Sequence, residues 1–251
     1  MLGFDYQLLL KEGEKVPLYV PIGHLCVVGS TNSGKSTGVL YWMYKAQKQE
    51  KSSDRTSPCL KCKYWIADFK ASHEFKGITM HYGEFEDCYR VIKEFYEEFL
   101  NTPEGGSGVV KILVVDEIAG LLTHLNIVTT EGTGKNNKSN RALGDEIRLI
   151  MSNILMLGRS RMCYLWLTMQ RYTASIFPAS SGAADNFNIC IGLGTLSVDG
   201  RRGLFAGEHL EDEDDIHFGQ GRGIALIDGI GLKGLIVPKV SKKRLLELLN
   251  N

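Results

Sequence analysis

No stretch of this 251-residue sequence stays apolar long enough to cross a bilayer, and the N-terminus has no signal-peptide core. A cytoplasmic location is therefore the expectation, with any recruitment to a membrane or virion supplied by a partner. Net charge is missing as well: Lys and Arg number 29, Asp and Glu 29, and the formal balance is zero. Any nucleic-acid surface must then be a local basic patch on a neutral body. A disulfide framework is also lacking, because the six cysteines show no such spacing. Cys26, Cys163 and Cys190 lie in apolar runs and read as buried thiols. Cys59 and Cys62 form a C-x-x-C pair in a polar, Lys-rich stretch, with no second compact pair to complete a metal site. Half of a zinc site, a redox pair and the rim of a loop all stay open. No internal repeat is visible.

What is present reads as one globular chain. Hydrophobic residues make up 43% and charged residues 23%, and the length suits a single domain over 1–251. Residues 23–29 read as a strand and 35–50 as a helix with Val39, Trp42, Met43 and Ala46 on one face. Further strands are expected at 64–67, 109–115, 163–168, 187–192, 222–227 and 232–237. Helices are expected at 84–100 and 142–157, with a C-terminal one at about 241–250. In the 142–157 helix, Leu143, Ile147, Ile150, Ile154 and Leu157 are expected to face the core. Between about 129 and 141 the composition turns to Gly, Thr, Asn and Lys, which reads as an exposed loop. Strands spaced by helices predict an α/β fold with a mostly parallel central sheet flanked by helices.

Between the first strand and helix stands Gly29-Ser30-Thr31-Asn32-Ser33-Gly34-Lys35-Ser36, followed by Thr37. A glycine-rich turn running from a strand into a helix presents backbone N–H groups and the positive helix end to phosphates. In such a loop Lys35 reaches the β and γ phosphates and the Ser36 hydroxyl binds Mg2+. The apolar strand Ile112-Leu113-Val114-Val115 ends in Asp116-Glu117. A buried strand has little use for two acids unless they emerge at the functional edge of the sheet. Asp116 is expected to hold the magnesium shell, and Glu117 to orient or deprotonate the attacking water. Adjacent acids favour an ATP-hydrolysing motor over a small GTPase, and no guanine-specificity motif is evident. Gln170 ends a third apolar strand, where its amide either contacts the γ-phosphate and attacking water or is structural.

With these residues in place, the pattern resembles the FtsK/HerA superfamily of DNA-pumping ATPases, in particular the FtsK/SpoIIIE-like motor domain, with its RecA-like P-loop NTPase fold. Ala67-Asp68-Phe69-Lys70 is similar to that family's Asp-Pro-Lys segment, with Phe69 in place of proline. Gly158-Arg159-Ser160-Arg161, followed by Leu167-Thr168-Met169-Gln170-Arg171, resembles its Gly-Arg…Ala-Thr-Gln-Arg signature. Asp199-Gly200-Arg201-Arg202 resembles an Asp-Ser-Arg segment, and Phe218-Gly219-Gln220-Gly221-Arg222 falls at a Gly-x-Gly-Asp-Met turn, with Arg222 replacing the acid.

The resemblance implies a homo-oligomer, a hexameric ring around double-stranded DNA. Arg159 would be the arginine finger entering a neighbour's ATP site, with Arg161 and Arg202 as runners-up and surface ion pairing as the alternative. It also places Lys135, Lys138 and Arg141 toward the pore, as DNA-contacting residues or as part of an ordinary surface loop. The acidic stretch from Glu208 through Glu211 to Asp215 argues against that part facing DNA. The family's membrane region, extra motor subdomain and winged helix are not evident, so a minimal motor of a mobile element or virus is expected. Relaxase, capsid or membrane proteins are then the expected partners. A nucleotide-switched coupling or scaffold protein and a protein-translocating secretion ATPase are the competing readings.

Overall fold

The computed structural model describes residues 1–48, 61–131, 137–178, 182–206, 208 and 219–250, the side chains of 126–131, 137–142 and 174 excepted. Among these residues the strands are β1 (Gly3–Asp5), β2 (Pro17–Leu18), β3 (Leu25–Gly29), β4 (Lys61–Asp68), β5 (Tyr82–Glu84), β6 (Val109–Asp116), β7 (Cys163–Met169), β8 (Ile189–Leu193), β9 (Arg222–Ile227) and β10 (Gly231–Ile236). The α-helices are α1 (Tyr6–Glu12), α2 (Lys35–Lys48), α3 (Cys88–Asn101), α4 (Ile118–Glu131), α5 (Asn137–Leu157), α6 (Val198–Leu204) and α7 (Lys242–Leu249). The chain forms two compact units. One comprises Met1–Cys62, Gln170–Tyr172 and Phe187–Asn251; the other comprises Lys63–Met169 and Thr173–Asn186.

In the first unit the strands lie in the order β2-β1-β10-β9-β8-β3. β3 is buried at all five positions, as a strand covered on both faces must be, and pairs in parallel with β8 from Leu25↔Ile189 to Gly29↔Leu193. From β8 outward every pairing is antiparallel, through β9, β10, β1 and β2. The expectation of a mostly parallel sheet therefore fails on this flank. The physical reason is that strand composition reports burial, while pairing direction is set by the connections, and β9 and β10 are joined by a tight turn.

The opening β1-α1-β2 segment is unassigned in the sequence reading. It carries a legible start and stop: Asp5 accepts from the N–H groups of Gln7 (2.9 Å) and Leu8 (3.1 Å), and Gly13 closes α1 in the left-handed region at φ 70°. α2 buries Val39, Leu40, Trp42, Met43 and Ala46, and the Trp42 indole donates to Leu2 O at 2.7 Å. That bond ties the phosphate-loop helix to the N-terminal segment.

In the second unit the order is β7-β6-β4-β5, with β6 parallel to β7 and β4 parallel to β5. α3 packs Val91, Ile92, Phe95 and Phe99 inward, the face expected from their spacing. β6 is less uniform than its apolar reading suggests. Lys111 is buried within it, its Nζ paired with Glu98 (2.6 Å) and donating to Thr102 Oγ1 (2.8 Å).

Two corrections concern the helices around residue 130. The sequence reading assigns no helix between Asp116 and Ala142, yet Ile118, Leu121, Leu122 and Leu125 form a buried stripe at helical spacing. α4 accordingly runs to Glu131 and α5 begins at Asn137, so the expected loop of 129–141 is helical at both ends. Apolar packing has overridden the turn-like composition. Leu157, expected in the core, is 53% exposed, because the buried stripe of Ile147, Ile150, Met151, Ile154 and Leu155 reaches Gly158 on its next turn. Cys59, Lys135 and residues 211–215 lie outside the described residues, as do the side chains of Lys138 and Arg141 in α5.

Candidate active site

The phosphate loop belongs to the first unit. Gly29 ends β3 where a Cβ would lie 2.4 Å from Leu193 O and 2.5 Å from Ser33 Oγ, so only glycine lets the loop fold back over the strand end. Asn32 (φ 64°) and Gly34 (φ 99°) adopt left-handed backbone, which turns the chain from strand into helix. A Cβ on Gly34 would meet Gly221 N at 3.0 Å, and Gly221 donates its N–H to Ser33 O at 2.8 Å. The turn before β9 thus braces the phosphate loop from one side.

Lys35 is 7% exposed, and its ammonium donates to Gly29 O at 2.6 Å and Ser30 O at 2.9 Å. The first turn of α2 closes from the Gly38 N–H to Gly34 O at 2.8 Å. The N–H groups of Lys35, Ser36 and Thr37 precede that bond, as the first donors of a helix do, and suit an anion. Ser36 and Thr37 are half-buried, while Ser30, Thr31 and Asn32 are exposed.

The acidic residues belong to the second unit. Asp116 is 2% exposed and Glu117, just beyond β6, is 6% exposed. Thr168, from the neighbouring strand β7, joins them: its hydroxyl donates to Asp116 Oδ1 at 2.6 Å and accepts from the Glu117 N–H at 3.2 Å. Burial pushes the Asp116 carboxyl above its ordinary range, and the Thr168 hydrogen bond opposes that shift. Glu117 has φ 61°, a conformation that costs a non-glycine residue. The Lys70 ammonium, in the turn after β4, lies 2.6 Å from Glu117 Oε2 as a charge contact without hydrogen-bond geometry.

Below this pair, Asp68 is fully buried. Its Oδ2 accepts from the Ser72 N–H (3.1 Å), the Ser72 hydroxyl (3.2 Å) and the Tyr82 hydroxyl (3.1 Å). Burial, together with Glu84 and Asp68, holds the Tyr82 phenol well above its usual range.

Within each unit the structure therefore brings expected residues together: Lys35 with Gly29 and Ser30, and Asp116 with Glu117. Gln170 follows β7 and is exposed. Arg159 is not near the acids of its own unit. It lies in the 3-10 turn that precedes β7, whereas Asp116 and Glu117 lie at the far ends of the parallel β6–β7 pair, roughly 20 Å along a seven-residue strand. Its side chain is exposed and makes no hydrogen bond or ion pair among the described residues. Arg161 is committed locally: it donates to Thr102 O at 2.5 Å at the end of α3 and stacks over Phe99. Arg202 is exposed on α6.

Thr168 and Lys70 have no assigned role in the sequence reading. The available signals were a hydroxyl at the end of an apolar strand and a lysine two residues after a buried aspartate. The metal expectation rests on oxygen donors, the Ser36 hydroxyl and the Asp116 carboxylate. No group of three or more His, Cys, Asp or Glu among the described residues could hold a metal ion. Each donor, within its own unit, is a hard oxygen of the kind Mg2+ takes one or two of, completing its shell with phosphate and water.

Neither the family models nor the curated proteins contain a match to this sequence. Solved structures do match. The cytoplasmic domain of the Thermomonospora curvata type VII secretion ATPase EccC superposes with a TM-score of 0.66 at 17% identity over 99% of this chain. The pCW3 conjugation coupling protein TcpA, solved as a monomer form with ATPγS, gives 0.64 at 15% identity over 99% of the chain. The cytoplasmic domain of EssC gives 0.54 at 14% identity over 98%. The chain shares the fold of these proteins. It spans 30% of the EccC chain, 73% of the TcpA chain and 46% of the EssC chain. The likeness supports the expected α/β fold in its coarse form.

Proposed function

We propose that the chain is an ATP-hydrolysing motor domain of the translocase kind, working in an oligomer that couples turnover to the passage of a macromolecule. The observation that carries this reading is the phosphate loop: glycines at positions that admit nothing larger, Lys35 held at the loop, and helix donors directly after it. On this reading the loop N–H groups and Lys35 hold the phosphates of ATP, and Ser36 and Asp116 hold Mg2+. The ion, when bound, offsets charge on the β and γ phosphates. Glu117 accepts the proton of the attacking water, and Thr168 fixes both acids relative to one another. Gln170 contacts the γ-phosphate or the attacking water. Arg159 acts on a neighbouring copy, a role supported by its exposure and its distance from the acids of its own unit.

For the cargo, likeness to a secretion ATPase and a conjugation coupling protein supports a coupling or secretion role ahead of an independent motor on double-stranded DNA. The DNA reading keeps one specific support, the likeness to TcpA. Under it, Lys135, Lys138 and Arg141 contact the DNA backbone, and the oligomer is a hexameric ring. A relaxase or capsid partner belongs to that reading, a membrane partner to either. Measuring ATP turnover of the wild type and Lys35→Ala, each with and without long double-stranded DNA, tests both levels. Loss of nucleotide binding or turnover in Lys35→Ala is expected, and normal turnover there removes the site. Strong stimulation by DNA would favour the DNA motor over the coupling or secretion role.

A further inference from the structure

The Asp68-Phe69-Lys70 segment has no part in the chemistry above, yet it reaches the group assigned to activate water. Resting on that assignment, we propose that Lys70 is a restraint on Glu117, holding its carboxylate out of service until a competing anion draws the ammonium away. The contact is close, 2.6 Å from Lys70 Nζ to Glu117 Oε2. At that distance the ammonium fills the space beside Oε2 that a water must enter to be activated there, so the oxygen is reached only once the ion pair opens.

The two partners differ in access. The Glu117 side chain is 9% exposed, whereas that of Lys70 is 34% exposed. Solvent-borne anions and salt therefore reach the lysine and not the glutamate, so the pair opens from the lysine side. Glu117 is fixed by its own backbone, through the N–H bond to Thr168 and a left-handed φ of 61°.

The turn carrying Lys70 is built to hold it in place. Its Phe69 N–H bonds Asp116 O at 3.3 Å, fastening the turn to the end of β6. Ala71 and His73 are both left-handed, at φ 50° and 57°. The buried Asp68 maintains this unfavourable backbone: its carbonyl accepts from the Ala71 N–H at 3.1 Å, and its carboxylate takes both donors of Ser72. A phosphate is the competing anion that an ATPase meets in every cycle. Its arrival at Lys70 breaks the ion pair, and Glu117 becomes available as a base.

The test compares steady-state turnover at saturating ATP for the wild type, Lys70→Met, Lys70→Arg and Glu117→Gln, from low to high ionic strength. Lys70→Met is expected to raise the basal kcat severalfold with KM for ATP unchanged. The wild-type kcat is expected to rise with salt as Lys70, the more exposed partner, is screened, and that rise is lost in Lys70→Met. Lys70→Arg retains the wild-type behaviour. If Glu117→Gln is inactive while Lys70→Met turns over no faster than the wild type, the restraint is overturned and the water-activating role of Glu117 survives. If Glu117→Gln turns over at the wild-type rate, the catalytic assignment falls, and the restraint falls with it.

Discussion

Asp116 is a carboxylate that the fold keeps almost wholly out of water, and that burial raises its pKa. A raised folded-state pKa means that its stabilising contribution is complete at low pH, where the group is neutral. That contribution is lost as pH rises through the folded pKa. Once ionised, the group is therefore a liability to folding. Asp116→Asn, which keeps an acceptor for Thr168, is expected to raise the urea midpoint at neutral pH and to abolish turnover. The gain should shrink as pH falls toward the carboxylate range; a gain that does not change with pH would contradict the assigned cause. The residues of the loop and the acid pair were legible because each set is contiguous in sequence. Lys70 and Thr168 were not, because they reach Glu117 from the turn after β4 and from β7, and sequence order does not report lateral neighbours.

Single elements position these residues. The turn before β9 supports the phosphate loop through Gly221, which is left-handed at φ 74°. Gly221→Ala is expected to cost about 1–2 kcal/mol of stability and to raise KM for ATP, because the strain is placed beside Ser33 and Gly34. Urea unfolding and a KM measurement check the two halves of that expectation. The 3-10 turn before β7 divides its arginines by role. Arg161→Ala should lose about 1–2 kcal/mol from the end of α3 and keep most turnover. Arg159→Ala should fold as the wild type and lose turnover; equal turnover in both variants would remove Arg159 from the mechanism. β3, β6, β7 and α3 were legible from their periodicity and burial. The antiparallel flank and α4 were not: a strand's side chains do not announce the direction of its neighbour, and the polar end of α4 obscured its buried stripe.

Across the whole chain, the likeness to EccC, TcpA and EssC covers 96–99% of its residues at identities where the fold alone is shared. One fold can be shared at such identities because burial patterns admit many substitutions. Cargo is the property least legible in the sequence, since a neutral chain with scattered lysines marks neither DNA nor protein as its partner. The proposed chemistry is narrower: ATP held at the phosphate loop and cleaved with Glu117 as the base. It is tested most directly by a single-turnover measurement on Glu117→Gln with radiolabelled ATP and Mg2+. Retained ATP binding with hydrolysis slowed about a hundredfold or more is expected. Hydrolysis at the wild-type rate, or a variant that no longer binds ATP, would contradict it.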